Sequence, residues 1–336
     1  MDMTAAPPDT RITDFLAASG WQGARRAPLA GDASARRYER VSLAGRRGVL
    51  MDTVPGDELS RFIYMTDWLR SAGFSAPDIL ARAPQVGLLL LEDLGDDLIF
   101  DLVTRDRARE GPLYGHVVDF LIALQSRPPP DVLLPLEGGQ LAHLTELTEK
   151  WYPHRATSSV PLARTIATLF DALDDGARVV SLRDFHAQNA LWLPDRQGMA
   201  RLGILDYQDA VRAHPAYDLV SALQDARRDV DPQIAAAQIA RFCTQAGYDP
   251  SRFGAIYALL GAQRALRILG IFARLCLGYG KPRYLEFMPR VWAHLQANLR
   301  HPALDDLKQL VDAGLHAPSQ TMIEEMRQKC GTRPTP

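Results

Sequence analysis

The sequence predicts an α+β chain in two lobes, a small β-rich front lobe with one helix and a larger, mainly helical lobe. Three observations point that way. The chain has 336 residues, more than one hydrophobic core usually serves. Its first stretch, to about Asp93, mixes strand-like runs with a single helical pattern. After Gly95 the pattern changes to amphipathic helices interrupted by two short apolar strands.

In the front lobe, Arg36–Leu43 and Gly48–Thr53 read as strands joined at a turn around Ala44-Gly45. Phe62, Met65, Leu69 and Ala72 recur at helical spacing, and Gly73 sits where a helix would stop. Pro84 leads into Val86–Leu91, an apolar run suited to a strand buried on both faces. Behind the Glu92–Gly95 connector, helices are expected over Leu113–Leu124, Leu162–Leu173, Ile234–Ala246 and Ala255–Leu277, and strands near Ala190–Leu193 and Leu202–Leu205. The pattern fades from about Pro318, so a flexible tail is expected there. The domain expectation is therefore a lobe over 1–93 and a second over 94–336.

Composition excludes several classes. Hydrophobic residues make up 47% and charged residues 23%, as in an ordinary globular protein. A formal net charge of −2 gives no field toward nucleic acid or an anionic membrane. Cys243, Cys276 and Cys330 lie far apart, which suits a reducing compartment better than a disulfide framework or a metal site. Met1–Arg11 lacks the apolar core of a signal peptide. Ala255–Leu277 carries Arg264, Arg267 and Arg274, too costly at a bilayer centre, so it reads as a buried helix. A soluble cytoplasmic protein, monomeric by preference, is expected.

The chemistry concentrates in Leu182-Arg183-Asp184-Phe185-His186-Ala187-Gln188-Asn189, with Asp206 seventeen residues after Asn189 in Gly203-Ile204-Leu205-Asp206. Phosphoryl transfer from ATP needs a carboxylate to orient and deprotonate a hydroxyl, and oxygen ligands for Mg²⁺. Asp184 would supply the first; Asn189 and Asp206 would supply the second. His186 has no partner at metal-ligand spacing and reads as support for its own loop. Tyr217 and Asp218 read as structural, capping the helix that follows.

These residues resemble the aminoglycoside phosphotransferase and choline kinase families, whose loop H-x-D-x-x-x-x-N and following D-x-x-x-A are met by Asp184, Asn189 and Asp206 to Ala210. Gly31-Asp32-Ala33-Ser34-Ala35-Arg36-Arg37-Tyr38, Leu89 to Gly95, Tyr217-Asp218-Leu219 and Gln263-Arg264-Ala265-Leu266 resemble one subgroup, the bacterial kinases of N-acetylmuramate and N-acetylglucosamine in cell-wall recycling. The resemblance covers roughly residues 29–302. It implies a protein-kinase-like two-lobe fold, ATP and Mg²⁺ as cofactors, and a small sugar whose anomeric hydroxyl accepts the γ-phosphoryl group. A kinase for an aminoglycoside, choline or another alcohol is the alternative, and a nucleotide-binding pseudokinase that regulates a partner is the contrasting one.

Within that reading, Gly31 and Ser34 belong to a turn covering the phosphates with backbone N–H groups. The backbone from Glu92 through Asp93 to Leu94 binds adenine. Two departures stand out: Leu182 replaces the loop histidine, and Met51 occupies the strand position of the usual phosphate-binding lysine. Arg36 is the expected replacement cation, since only one of Arg36 and Arg37 can face the nucleotide. Gln263, Arg264, Arg267 and Arg274 share one arc of a helix. That stripe either forms salt bridges inside its lobe or touches a ligand; Arg264 or Arg267, with Arg183, are the candidates for a substrate carboxylate.

Overall fold

A computed structural model describes residues 10–29, 36–155 and 161–335. The chain divides into two compact units, Met1–Ile99 with Gln188–Asp209, and Phe100–Ala187 with Ala210–Pro336.

The first unit opens with helix α1 (Thr10–Ala18), whose Ile12, Phe15 and Leu16 face inward. Strands β1 (Arg25–Pro28), β2 (Arg37–Leu43) and β3 (Arg46–Asp52) follow, then helix α2 (Asp57–Ser71) and strands β4 (Ile79–Ala83) and β5 (Leu88–Glu92). The sheet is antiparallel in the order β1-β2-β3-β5-β4. Ala44 and Gly45 both hold positive φ, 48° and 81°, the geometry of a two-residue turn whose twist matches a hairpin. α2 buries Leu59, Phe62, Met65 and Leu69 as its spacing requires.

The apolar run after Pro84 begins its strand two residues later than expected. Pro84–Val86 form a 3₁₀ turn, and Gly87 turns the chain at φ 74°. A Cβ there would lie 1.9 Å from the Thr53 carbonyl oxygen, so only glycine fits. From Leu88 to Leu91 every side chain is buried. Leu88 and Leu90 join Val41, Leu50, Trp21 and the apolar face of α1 in one core cluster.

The second unit takes up the chain with α3 (Ile99–Arg105), α4 (Glu110–Gln125), α5 (Gly138–Trp151), α6 (Leu162–Leu173) and β6 (Val179–Ser181). The chain then returns to the first unit for a short antiparallel pair, β7 (Ala190–Trp192) and β8 (Leu202–Ile204). This pair is stitched to the earlier residues by a Ser75–Gly203 bridge, by the Ser75 hydroxyl donating to the Ala200 carbonyl at 2.7 Å, and by a buried Thr66–Tyr207 hydroxyl contact of 2.7 Å. Phe62 stacks on the Tyr207 ring with centroids 5.2 Å apart.

Back in the second unit come β9 (Val211–Ala213), paired with β6, and α7 (Ala216–Leu223), α8 (Pro232–Ala246), α9 (Pro250–Leu277), α10 (Met288–Asn298), α11 (Asp305–Gly314) and α12 (Gln320–Gln328). α9 starts earlier than its apolar pattern because Asp249 caps it, accepting from the Arg252 N–H at 2.9 Å, with Pro250 in the first turn. It is long and apolar enough to cross a membrane, yet 83% of its apolar window is buried within the protein. α5 lies close against it: a Cβ on Gly270 would come within 2.5 Å of the Thr148 backbone nitrogen.

The tail expectation needs correction in one respect. Residues beyond Pro318 do carry a pattern: α12 buries Met322, Ile323 and Met326, at the spacing of one helical face. The Gly331 N–H also donates to the Cys276 carbonyl at 2.9 Å.

Candidate active site

The candidate side chains fall in both units, and each group is built by its own local structure. In the second unit, β6 runs into the turn that carries Asp184. Arg183 holds φ 68°, sparsely populated for a residue with a side chain, and the Asp184 N–H donates to the Leu182 carbonyl across it at 2.9 Å. Such strain persists where the surroundings over-determine it. Here the Asp218 carboxylate does so, accepting from the Ser181 hydroxyl at 2.8 Å, the Leu182 N–H at 2.6 Å and the Arg183 N–H at 3.0 Å. Asp218 and Tyr217 lie inside α7 and are fully buried; neither caps it. Burial pushes the Asp218 carboxyl up, to about 6, against those three donors.

Leu182 is buried, so the position of the missing histidine keeps its packing, and Asp218 braces the backbone instead. Phe185 stacks on Phe120 at 5.2 Å. His186 Nε2 lies 3.2 Å from Arg227 Nη1. Burial first, then the Arg227 charge, holds this imidazole below its usual range despite Asp225.

Asp184 keeps 37% of its side chain exposed, while Arg264 beside it keeps 7%. Arg264 Nη1 donates to the Arg183 carbonyl at 2.9 Å and Nη2 to Asp184 Oδ1 at 3.3 Å. Burial opposes ionisation of Asp184, but Arg264 and then Arg267 outweigh it and hold the carboxyl well below the usual carboxylate range. Arg267 Nη1 donates to the Tyr217 hydroxyl at 3.2 Å, and Arg264 lies over the same ring at 5.9 Å. Gln263 turns into the core and donates to the Leu141 carbonyl at 3.1 Å. The basic stripe is therefore divided among different partners.

In the first unit, Asn189 leads into β7 and its carbonyl accepts from the Leu205 N–H at 2.9 Å. Asp206 leaves β8 at φ 60°, a second strained residue. Its carboxylate, on a side chain 43% exposed, accepts from Gln208 Nε2 at 3.0 Å and Arg36 Nη2 at 3.2 Å. Arg36 Nη2 also lies 3.1 Å from Glu58 on α2, and Nη1 donates to Gln208 Oε1 at 3.0 Å. Burial alone would lower the Arg36 pKa; Tyr38, Asp206 and Glu58 together raise it.

Arg37, by contrast, is exposed. Met51 is fully buried opposite Tyr38 in the sheet, as an apolar core residue. No lysine precedes Lys150 and none falls in Gln188–Asp209, so every long cation of the first unit is an arginine. Glu58 and Gln208 escaped the sequence reading; an acidic residue in the first turn of α2 was the available signal for the former.

The connector side chains are engaged. Glu92 Oε1 accepts from Arg196 Nη2 at 2.5 Å, and Arg40 Nε lies 2.8 Å from Asp93 Oδ2. Leu94 packs over Gly203, where a Cβ would sit 3.1 Å from its Cδ1. Gly31 and Ser34 lie outside the described residues.

As to metal, the donors offered by Asp206 and Asn189 are a carboxylate and an amide, the hard oxygens that Mg²⁺ selects. With Asp206 partly exposed, this donor set fits such an ion.

Comparison with known proteins agrees with the architecture. The model of a phosphotransferase enzyme family matches residues 25–253. Over 342 aligned residues the chain is 37% identical to the Caulobacter vibrioides protein named N-acetylmuramate/N-acetylglucosamine kinase, covering 89% of this chain and 94% of that one. A choline/ethanolamine kinase family protein from Mesorhizobium loti superposes with a TM-score of 0.61 at 13% identity, over 90% of this chain and 98% of that one. The Streptomyces rimosus aminoglycoside phosphotransferase APH(3'')-Id, solved with ADP and streptomycin, gives a TM-score of 0.50 at 20% identity over 76% and 98%. The fold is the kinase-like fold, a small antiparallel sheet lobe with a mostly helical remainder, as the sequence resemblance implied. The chain belongs to the phosphotransferase enzyme family.

Proposed function

We propose that this protein transfers the γ-phosphoryl group of ATP to the anomeric hydroxyl of N-acetylmuramate or N-acetylglucosamine, in the cytoplasm, as a step of cell-wall recycling. The observation that carries the reading is the 37% identity, over 89% of this chain, to a kinase named for those two sugars. Residues 1–93 hold the nucleotide and residues 94–336 carry the base and the sugar.

Asp184 orients the sugar hydroxyl and accepts its proton as the oxygen attacks the γ-phosphorus and the bond to the β–γ bridging oxygen breaks, releasing ADP. Held so far below the usual range, Asp184 is a weak base. It suits the anomeric hydroxyl, more acidic than other sugar hydroxyls, and a proton that leaves late. Asn189 and Asp206 hold Mg²⁺, which neutralises phosphate charge. The Gly31–Ser34 turn covers the phosphates, and the backbone of Glu92, Asp93 and Leu94 takes the adenine. Arg183 and Arg267 are the cations proposed for the lactyl carboxylate of the muramate. Three guanidinium groups around Asp184 (Arg183, Arg264 and Arg267) favour a neutral or anionic acceptor over a polycationic antibiotic.

The test is ADP release from Mg-ATP with N-acetylmuramate, N-acetylglucosamine, streptomycin and choline offered separately. Turnover should be confined to the amino sugars, and Arg267→Met should lower the preference for the muramate. Turnover with choline or streptomycin alone would overturn the substrate assignment.

Arg36 is proposed to be the phosphate cation, with Glu58 holding it. Arg36→Ala removes charge-assisted hydrogen bonds, each about 1.5–3 kcal/mol, so kcat/KM for ATP should fall about ten- to hundredfold. Arg37→Ala should stay within about twofold, because Arg37 is an exposed side chain whose removal is nearly neutral. The reverse ranking would place the cation on the other face of the strand.

A further inference from the structure

We infer that Arg264 is a positioning residue for Asp184, clamping the turn before it from α9, and that it does not read the substrate. The inference rests on the kinase reading above. The turn is gripped from two sides. From α7, Asp218 takes the N–H groups of Leu182 and Arg183. From α9, Arg264 takes what remains, the Arg183 carbonyl through Nη1 and the Asp184 carboxylate through Nη2. One planar fork thereby fixes both the backbone at the strained residue and the side chain of the next one.

Stability gives little reason for an arginine at this point. Its neighbours Gln263, Ala265 and Leu266 are all buried, and a guanidinium in such surroundings loses solvation that an apolar residue would not. A group retained there against that cost needs a partner that must stay charged. Asp184 is that partner, with 37% of its side chain still exposed for chemistry. The other charged groups facing Asp184 include Arg183, His186 and Arg267, with Asp218 across the turn. Arg183 and His186 belong to the turn itself, and Arg267 is the other α9 cation, held by the Tyr217 hydroxyl. Because both terminal nitrogens of Arg264 already donate to the turn and its side chain is only 7% exposed, the substrate carboxylate is assigned to Arg267 or Arg183.

The experiment compares the pH dependence of sugar kcat/KM, and nucleotide affinity, in the parent, Arg264→Gln and Arg264→Lys. Parental turnover is established first, so failure of the kinase reading is seen separately. Arg264→Gln keeps a donor for the Arg183 carbonyl and removes the charge. Its rate should drop about ten- to hundredfold, and its acid limb should rise by about one to three pH units, the shift an adjacent cation produces. Nucleotide affinity should be unchanged. Arg264→Lys keeps the charge without the fork, so its limb should stay parental while kcat falls.

An Arg264→Gln profile with the parent's acid limb, whatever its rate, would reduce Arg264 to a support of the lobe and overturn the proposal. So would a loss confined to N-acetylmuramate, which would make Arg264 a reader of the carboxylate. If Arg264→Gln does not fold, the lysine variant decides: parental kcat there means the fork does nothing and the proposal fails.

Discussion

Asp184→Asn is expected to lower kcat by about 10²–10⁴-fold, the range for loss of a positioned proton acceptor, while nucleotide affinity stays at the parental value. Asparagine keeps the shape and one carbonyl oxygen for Arg264, so the turn loses a charge but not its hydrogen bond. Its amide cannot take the hydroxyl proton. The affinity for a non-hydrolysable ATP analogue, measured beside kcat, separates chemistry from binding. Near-parental kcat in a folded variant would remove Asp184 from the proposed role. The low carboxyl of Asp184 adds a sign. Its proton is lost well below the usual carboxylate range, so the parent should lose no activity through Asp184 as pH falls from 7 to about 5, near the ordinary titration range of an aspartate.

Asp206→Asn is expected to act on metal as well as rate. Replacing a carboxylate ligand by an amide removes the negative charge that a hard dication prefers. The Mg²⁺ concentration for half-maximal turnover should rise by about tenfold or more, and kcat should fall by a similar order or further. Arg36 keeps Glu58 and Gln208 as partners in this variant, so the first unit should remain folded. A magnesium titration superposable on the parent's would exclude Asp206 as a ligand. The two variants thus separate in kind, since Asp184→Asn should leave that titration where it was.

Much of this was readable beforehand because local patterns and tertiary partners coincide. The hairpin at Ala44-Gly45 needed only the alternation of its strands, and α2 showed its buried face at helical spacing. α12 was hidden because Met322, Ile323 and Met326 sit among Gln320, Glu324, Glu325, Arg327 and Gln328, so a narrow face looked like no face at all. Periodicity put Gln263, Arg264 and Arg267 on one arc but gave a direction and no partners. Those are the Leu141 carbonyl, the Asp184 turn and Tyr217, supplied by segments about fifty to one hundred and twenty residues away. Arg36 is similar: alternation set it and Arg37 on opposite faces, but nothing local foretold Asp206, 170 residues on. Asp218 was read as structural, and its service to the Leu182 turn lay beyond any local pattern.

The discontinuity of the first unit bears on how the chain is made. Thr66 meets the Tyr207 hydroxyl across 141 residues, and at about 5–20 residues per second of synthesis that partner emerges on the order of ten seconds later. Until then the nascent front segment has its five-stranded sheet residues but lacks β7, β8 and the Tyr207 ring that stacks on Phe62. The whole of Phe100–Ala187, most of it helical, leaves the ribosome in that interval. The unit begun first therefore waits for a segment of the second to pass before it can close, and the strained Asp206, with the arginine that grips it, is set in place only once the later segment has been delivered.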